Sequence, residues 1–396
     1  MEMDSGNKCC EKKECKARIE KDLIGEKEIP WNVYYGIQSL RGFENFRITG
    51  LRLHPALIKG MAMVKKAAAL ANTELGYIPK EVGAAVVAAS DELIDGKLHD
   101  QMIVDPIQGG AGTSINMNIN EVIANRAIEM LGGKKGDYTI VSPLNHVNRS
   151  QSTNDAVPTA ARIGILMELD NTTEALAKLA AALEDKAEEF KDVIKMGRTH
   201  LQDAVPITLG QEFGAWAGAI RRDVKRIQEA AEALTVINLG GTAVGTALNA
   251  DMEYIRISCH ELCKISGYPL TTAENLVDAT QNADVLAELS SCLKVCAINL
   301  CKIANDMRLL ASGPMAGIGE IILPAVQPGS SIMPAKVNPV IPEVVNQVAF
   351  QIIGNDLTVT MAAQAGQLEL NVFMPGLLFN LLQSIDILGN VANTFR

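Results

Sequence analysis

A chain of 396 residues has enough material for a large buried core. Its 46 acidic against 36 basic side chains, a formal charge of −10 with no basic run to offset it, exclude the usual nucleic-acid binder and leave a small molecule as the expected partner. Hydrophobic residues make up 48% and aromatic ones 4%, a balance of Ala, Leu, Ile, Val and Met that predicts packed helices; no apolar run nears the ~20 residues that span a bilayer and the first residues lack a signal-peptide core, so a cytoplasmic, non-membrane protein is expected.

Residues 1–18, rich in Lys, Glu and Cys, read as a poorly ordered extension. From 19 to 150, short apolar runs and turn signals surround helix-like segments at 57–75 and 118–131, which predicts a mainly helical first domain. Within it Gly109-Gly110-Ala111-Gly112-Thr113-Ser114 precedes a helix, so Thr113 presents its hydroxyl at a helix start. Ser152-Thr153-Asn154-Asp155 repeats that arrangement ahead of Pro158 and opens the second region, 151–396. There Asn171 reads as an N-cap, with Glu174 completing a capping-box-like start before Leu176, Leu179, Leu183, Ala187 and Phe190. Gly197-Arg198-Thr199-His200-Leu201-Gln202-Asp203 precedes Pro206 and a longer seam, Phe213, Trp216, Ile220, Val224, Ile227, Ala231 and Leu234, as a third polar helix start. Leu286, Leu289, Leu293, Cys296, Leu300, Ile303, Met307 and Leu310 sustain the same spacing again. Successive seams of this kind predict a bundle of long helices, and residues 297–301, apolar on more than one side, imply burial against further subunits.

The fourth polar segment, 329–339, joins a flexible Gly-Ser-Ser to Lys336, Asn338 and Pro339. Asn338 as N-cap and Pro339 at the first helical position place Lys336 beside the positive end of a helix, a place to hold an anion. Each such segment alone is an ordinary cap or turn. Together they bring hydroxyls, an amide, an imidazole and an ammonium to helix starts, with no Rossmann or P-loop glycine spacing nearby, which suits a small polyanion such as a dicarboxylate. His200 is placed to bind a carboxylate or to pair with an acid such as Glu343. Eight cysteines are too dilute for a disulfide scaffold. Cys259, Cys263, Cys292, Cys296 and Cys301 read as reduced core residues; neither Cys259-His260 with Cys263 nor Cys9, Cys10 and Cys15 make a four-ligand set, so no metal is expected.

These segments also carry a resemblance. Residues 329–338 fit the G-S-x-x-M-x-x-K-x-N signature of the aspartase/fumarase superfamily, and the runs at 197–204, 151–155 and 110–118 resemble its other motifs in the same order, with similarity from about residue 18 to the end. Pro-Ala-Lys-Val-Asn-Pro-Val-Ile-Pro-Glu-Val-Val-Asn-Gln at 334–347, Tyr34-Tyr35-Gly36 and Ile353-Gly354-Asn355-Asp356 resemble the aspartate ammonia-lyases within it. Fumarases tend to carry Gly at Ala335 and a Thr-Gln-Cys-Glu run after Pro339; His200 is shared with them and does not discriminate.

The resemblance implies an all-α lyase whose central helices form a homotetrameric bundle, each active site being built from three subunits. It implies cofactor-free elimination of ammonia from L-aspartate to give fumarate. Carried over by position, Ser330 is the base for the C3 proton, and Thr199, His200, Lys336 and Asn338 contact the α-carboxylate. Thr113, Ser152, Thr153 and Ser331 hold the β-carboxylate, and Asn154 lies near the amino group. Two departures stand out. Arg162 occupies a position where relatives often have histidine, and the sequence ends at Arg396 where relatives continue into a small C-terminal domain, so that domain is expected to be absent. Fumarate hydration and a non-catalytic helical scaffold are the competing readings; the intact Ser330, Lys336, Asn338 and His200 set argues against the scaffold.

Overall fold

Residues 17–396 are described by the computed structural model. Strands β1 (Ala17–Lys21) and β2 (Glu26–Pro30) pair antiparallel and lead into α1 (Ile37–Asn45), α2 (Pro55–Glu74), α3 (Lys80–Ile94) and α4 (Thr113–Met130). The chain continues through α5 (Thr153–Glu189), the antiparallel pair β3 (Ile194–Thr199) and β4 (Gln202–Thr208), α6 (Leu209–Glu232), β5 (Val236–Ile237), α7 (Met252–Ser266), β6 (Thr271–Thr272) and α8 (Leu276–Gln281). Three long helices close it, α9 (Asp284–Leu310), α10 (Val340–Gln364) and α11 (Met374–Phe395). The architecture is the expected all-α one, with the strands confined to two-stranded pairs among the described residues.

The three-and-four spacing becomes burial. All eight seam residues of α9 are buried, and α6 buries Phe213, Trp216, Ile220 and Ile227, each large aliphatic side chain contributing roughly 1.5–3 kcal/mol. Phe213 also packs edge-on to Phe190 and against Trp216, which fixes the start of α6 on the end of α5. Polar ties set the helix directions. Arg221 pairs with Glu184, while Arg162 reaches the carbonyl of Ala233, so α6 runs antiparallel to α5. Arg308 bonds Asn346 at 2.9 Å and Ser290 bonds Asp356 at 2.8 Å, so α10 returns antiparallel to α9. α11 lies on α5 and α10, with Thr172 donating to the carbonyl of Ile385 and Asn355 donating to Ser384. On the other side α2 crosses α5 closely enough that a Cβ on Gly60 would lie 2.2 Å from the carbonyl oxygen of Ala160.

Asn171 caps nothing: α5 runs unbroken through it, and its amide donates back to Met167 within the helix. The start lies nineteen residues earlier, at Ser152, where the stronger capping box is. Outside the core, Phe350, Ile353, Leu357 and Met361 of α10 make an exposed apolar stripe, 39–63% accessible, and Ile298 of α9 is half exposed. Cys259 and Cys263 both point at the carbonyl of Leu270, and the N-terminal Cys9, Cys10 and Cys15 lie outside the described residues. No helix among the described residues is long and apolar enough to cross a membrane.

Candidate active site

One group of predicted site residues gathers at the start of α5. Ser152 is its N-cap: the hydroxyl accepts from the helix, and Asp155 accepts the backbone N–H of Ser152 at 2.9 Å. Asp155 is wholly buried and also accepts the N–H groups of Gly240 and Thr242, so one carboxylate joins the helix start to the 238–251 loop. Burial pushes its carboxyl up to about 6, against the pull of those N–H groups and of the Lys65 charge. Asn154 donates to the carbonyl of Ala243 at 2.7 Å. Thr113 begins α4 alongside, as its first residue after Gly112, and donates its hydroxyl to the carbonyl of Gly110. The amide of Asn116, one turn on, donates to the Thr153 hydroxyl at 3.1 Å and so brings the two helix starts together. Ser152 and Gln151 line an open cleft of about 700 Å³ with Arg149, Thr242 and Asn249.

A second group lies at the far end of α5. Thr199 and His200 stand at the tip of the β3–β4 hairpin, not at a helix start as expected; His200 and Leu201 both take positive φ, 50° and 61°, and make a two-residue turn. Pro206 lies within β4, and α6 begins after Thr208, which caps it. The hydrogen bonds from Leu209 to Val193 and from Gly210 to Phe190 tie the hairpin to the end of α5. His200 and Thr199 are exposed, and His200 is not paired with Glu343, whose carboxylate accepts only from Gln347 among the described residues.

The segment between α9 and α10 carries the rest. Gly329 donates to the carbonyl of Lys336 at 2.8 Å and the Asn338 amide donates to the carbonyl of Gly329 at 2.7 Å, which closes residues 329–338 into a loop with a narrow neck. Asn338 is therefore a clasp, not an N-cap; α10 starts at Val340 with no side-chain cap, because the expected capping amide is engaged at the neck. Inside the loop the hydroxyl oxygen of Ser330 accepts two backbone N–H groups, Met333 at 3.1 Å and Ile332 at 3.3 Å. Ser331 and Lys336 are exposed on the same loop. Upstream, Glu320 receives Arg198 at 2.7 Å and lies 2.9 Å from the Lys195 ammonium, which itself holds Glu212 at 2.8 Å. The Arg198 guanidinium, with Lys195, holds the Glu320 carboxyl below the usual range against the effect of burial. This cluster pins the Ser330-bearing segment to the Thr199 hairpin.

Thr113, Ser152, Thr153 and Asn154 are thus together, and Thr199, His200, Ser330, Ser331, Lys336 and Asn338 share the other end. The 37 residues of α5 put ~55 Å between the two ends. A single chain therefore does not bring the ten residues into one site. Sequence reasoning missed Lys65, Asn116, Asn148, Asp155, Arg198 and Glu320. Lys65 carried a signal, being a lysine in the apolar run 61–71 of α2, and it is completely buried.

Comparison with known proteins places this geometry. The Lyase family, described as lyase, matches residues 25–354. An aspartate ammonia-lyase from Bacillus sp is 63% identical over 96% of this chain and 81% of its own length. The crystal structure of a fumarate lyase:delta crystallin from Brucella melitensis superposes with a TM-score of 0.94 at 54% identity, covering 95% of this chain and 82% of that one. A class II fumarase from Schistosoma mansoni superposes at 0.93 with 37% identity, covering 96% and 83%. With a family match over residues 25–354 and 63% identity to a relative over 96% of its length, the chain belongs to the lyase family.

Proposed function

We propose that this protein is an aspartate ammonia-lyase, a carbon–nitrogen lyase that eliminates ammonia from L-aspartate to give fumarate and runs the reverse addition. The observation that carries the chemistry is the pair of N–H groups on the Ser330 oxygen. An ordinary serine is a weak base, and two fixed amide dipoles lower the cost of its alkoxide. Ser330 takes the C3 proton. Thr199, His200, Lys336 and Asn338 hold the α-carboxylate at this end of the bundle, and Thr113, Ser152, Thr153 and Ser331 receive the β-carboxylate, with Asn154 near the amino group. Charge gathers on the β-carboxylate as the proton leaves, so donors aligned in advance there favour the transition state more than the ground state.

The distance between the clusters supports an assembly in which different copies supply the two halves, a homotetramer with shared sites, and the apolar stripe of α10 is the surface it would cover. The division at residues 150 and 151 separates the smaller helical domain from the bundle in this reading, and the five free cysteines among the described residues suit a cytoplasmic protein. Fumarate hydration is the second reading, favoured by the fold shared with a class II fumarase. Fumarate formation from L-aspartate, followed by ultraviolet absorbance, against water addition to fumarate on the same preparation decides between them. Light scattering gives the assembly size. A preparation that releases no fumarate from L-aspartate overturns the proposal.

A further inference from the structure

The interior behind the α5 start contains a lysine that none of the roles above uses. Lys65, on α2, is completely buried, and its ammonium is 2.7 Å from the carbonyl oxygen of Asn116, 2.9 Å from that of Gln151 and 3.0 Å from that of Asn148. An ammonium has three N–H donors and no acceptor, so the atom of each amide that faces it must be oxygen. Three acceptors match three donors. Burial disfavours the charge on this amine, and the buried Asp155 supplies a nearby negative charge that partly offsets it.

Fixing the Asn116 oxygen on Lys65 leaves its NH₂ pointing the other way. That NH₂ donates to Thr153 at 3.1 Å and to the carbonyl oxygen of Asn148, also at 3.1 Å. The Thr153 oxygen therefore accepts from inside, and its own hydrogen is not donated to any described residue. It faces outward as a donor. Thr113 differs, its hydroxyl donating to the carbonyl of Gly110, from which it must turn to meet a carboxylate.

We propose that Lys65 and Asn116 are positioning residues that set the direction of the hydrogen-bond chain, Lys65 to Asn116 to Thr153, so that the Thr153 hydroxyl is held as a donor to the substrate carboxylate. The inference rests on the reading that Thr153 contacts a carboxylate. Neither Lys65 nor Asn116 touches substrate. With the direction reversed, Thr153 would spend its hydrogen inward and offer a lone pair to a carboxylate oxygen, replacing attraction by repulsion.

A double-mutant cycle tests it. Asn116→Asp keeps an acceptor for Lys65 but cannot donate to Thr153, which then donates inward to the new carboxylate. The variant also loses the donor to the Asn148 side-chain oxygen, which keeps Lys65 and Asn120 as partners; it is expected to assemble, while kcat/KM for L-aspartate falls about 10–100-fold, the size of losing one hydrogen bond to a charged group. Thr153→Val is expected to lose a similar factor. In the Thr153→Val background, Asn116→Asp should then cost less than about twofold, because its effect passes through the missing hydroxyl. Equal losses in both backgrounds would mean that Asn116 acts by general packing or charge, and would overturn the proposal. So would full activity in Asn116→Asp, or its failure to assemble, since Lys65 is argued to welcome a carboxylate there. If Thr153→Val itself is unimpaired, the reading of Thr153 as a substrate contact fails; if it is impaired and Asn116→Asp is not, only the inference about direction fails.

Discussion

The hydroxyl oxygen of Ser330 accepts the amide N–H of Met333, three residues ahead in its own loop, at 3.1 Å. A base whose oxygen is already solvated by its own backbone needs no new partner when it ionises, and removal of that oxygen should leave everything else in place. Ser330→Ala is therefore expected to lower kcat by at least the 10²–10⁴-fold typical of a general base, with unchanged helix content by circular dichroism and unchanged assembly size. An alanine variant with parental turnover would remove Ser330 from the mechanism.

The two clusters at opposite ends of α5 make a mixing experiment informative. Thr153→Val and Ser330→Ala each spoil a different half. Denatured together and refolded, or co-expressed, they should form mixed assemblies in which about one quarter of the sites combine two intact halves from different copies. Recovery of activity toward that fraction, above the residual activity of either preparation alone, is the expected result. No recovery in demonstrably mixed assemblies would mean that each chain completes its own site.

Lys65 gives a stability prediction with a definite sign. Burial lowers its ammonium to about 7 from the ordinary 10.5, opposed by the charge of Asp155. Between those values the unfolded chain binds more protons than the folded one. Folding should therefore gain stability as pH rises through that window, by up to ~1.4 kcal/mol per unit, and show no contribution to the slope below it, where both states hold the proton. Lys65→Met removes the group. The melting temperature of the parent relative to this variant should climb from about pH 7 toward pH 10; a constant difference would show that the lysine titrates alike in both states.

Gly329 tests the loop neck. A Cβ there would lie 2.6 Å from the carbonyl oxygen of Lys336 and 2.8 Å from the N–H nitrogen of Asn338, both backbone atoms. Gly329→Ala is expected to force the neck open and to reduce kcat/KM more than 10-fold while moving the melting temperature by only a few degrees, since the loop lies outside the core. Steady-state kinetics with differential scanning calorimetry would read both.

Helices were the part of the fold that spacing made legible, because α6 and α9 bury one seam at a period the sequence repeats without interruption. Boundaries depended on side chains with more than one possible partner. Asn338 had the chemistry of an N-cap but is used at the Gly329 neck, and Asn171 had it too but sits mid-helix, where the backbone needs no cap. The hairpin was hidden for another reason: His200-Leu201 fills a turn that usually advertises itself with Asn-Gly, and the alternation in β3 and β4 lies largely on exposed strands. The polar residues of the site were legible as types but not as neighbours. Ser152 lies at similar sequence distances from Thr113 and Thr199, and only the length of α5 shows which of them share an end.

That length makes α5 a ruler. An insertion of one residue in its middle would turn everything beyond it by about 100° and push the hairpin ~1.5 Å outward. Seven inserted residues would nearly restore the rotation but add ~10.5 Å, and α6 and α9 to α11 would have to grow in step. Side chains at either end are free to drift one at a time; the distance between the ends can change only by a coordinated lengthening of the whole bundle, so catalytic variety in such a scaffold must come from the tips and not from the shaft.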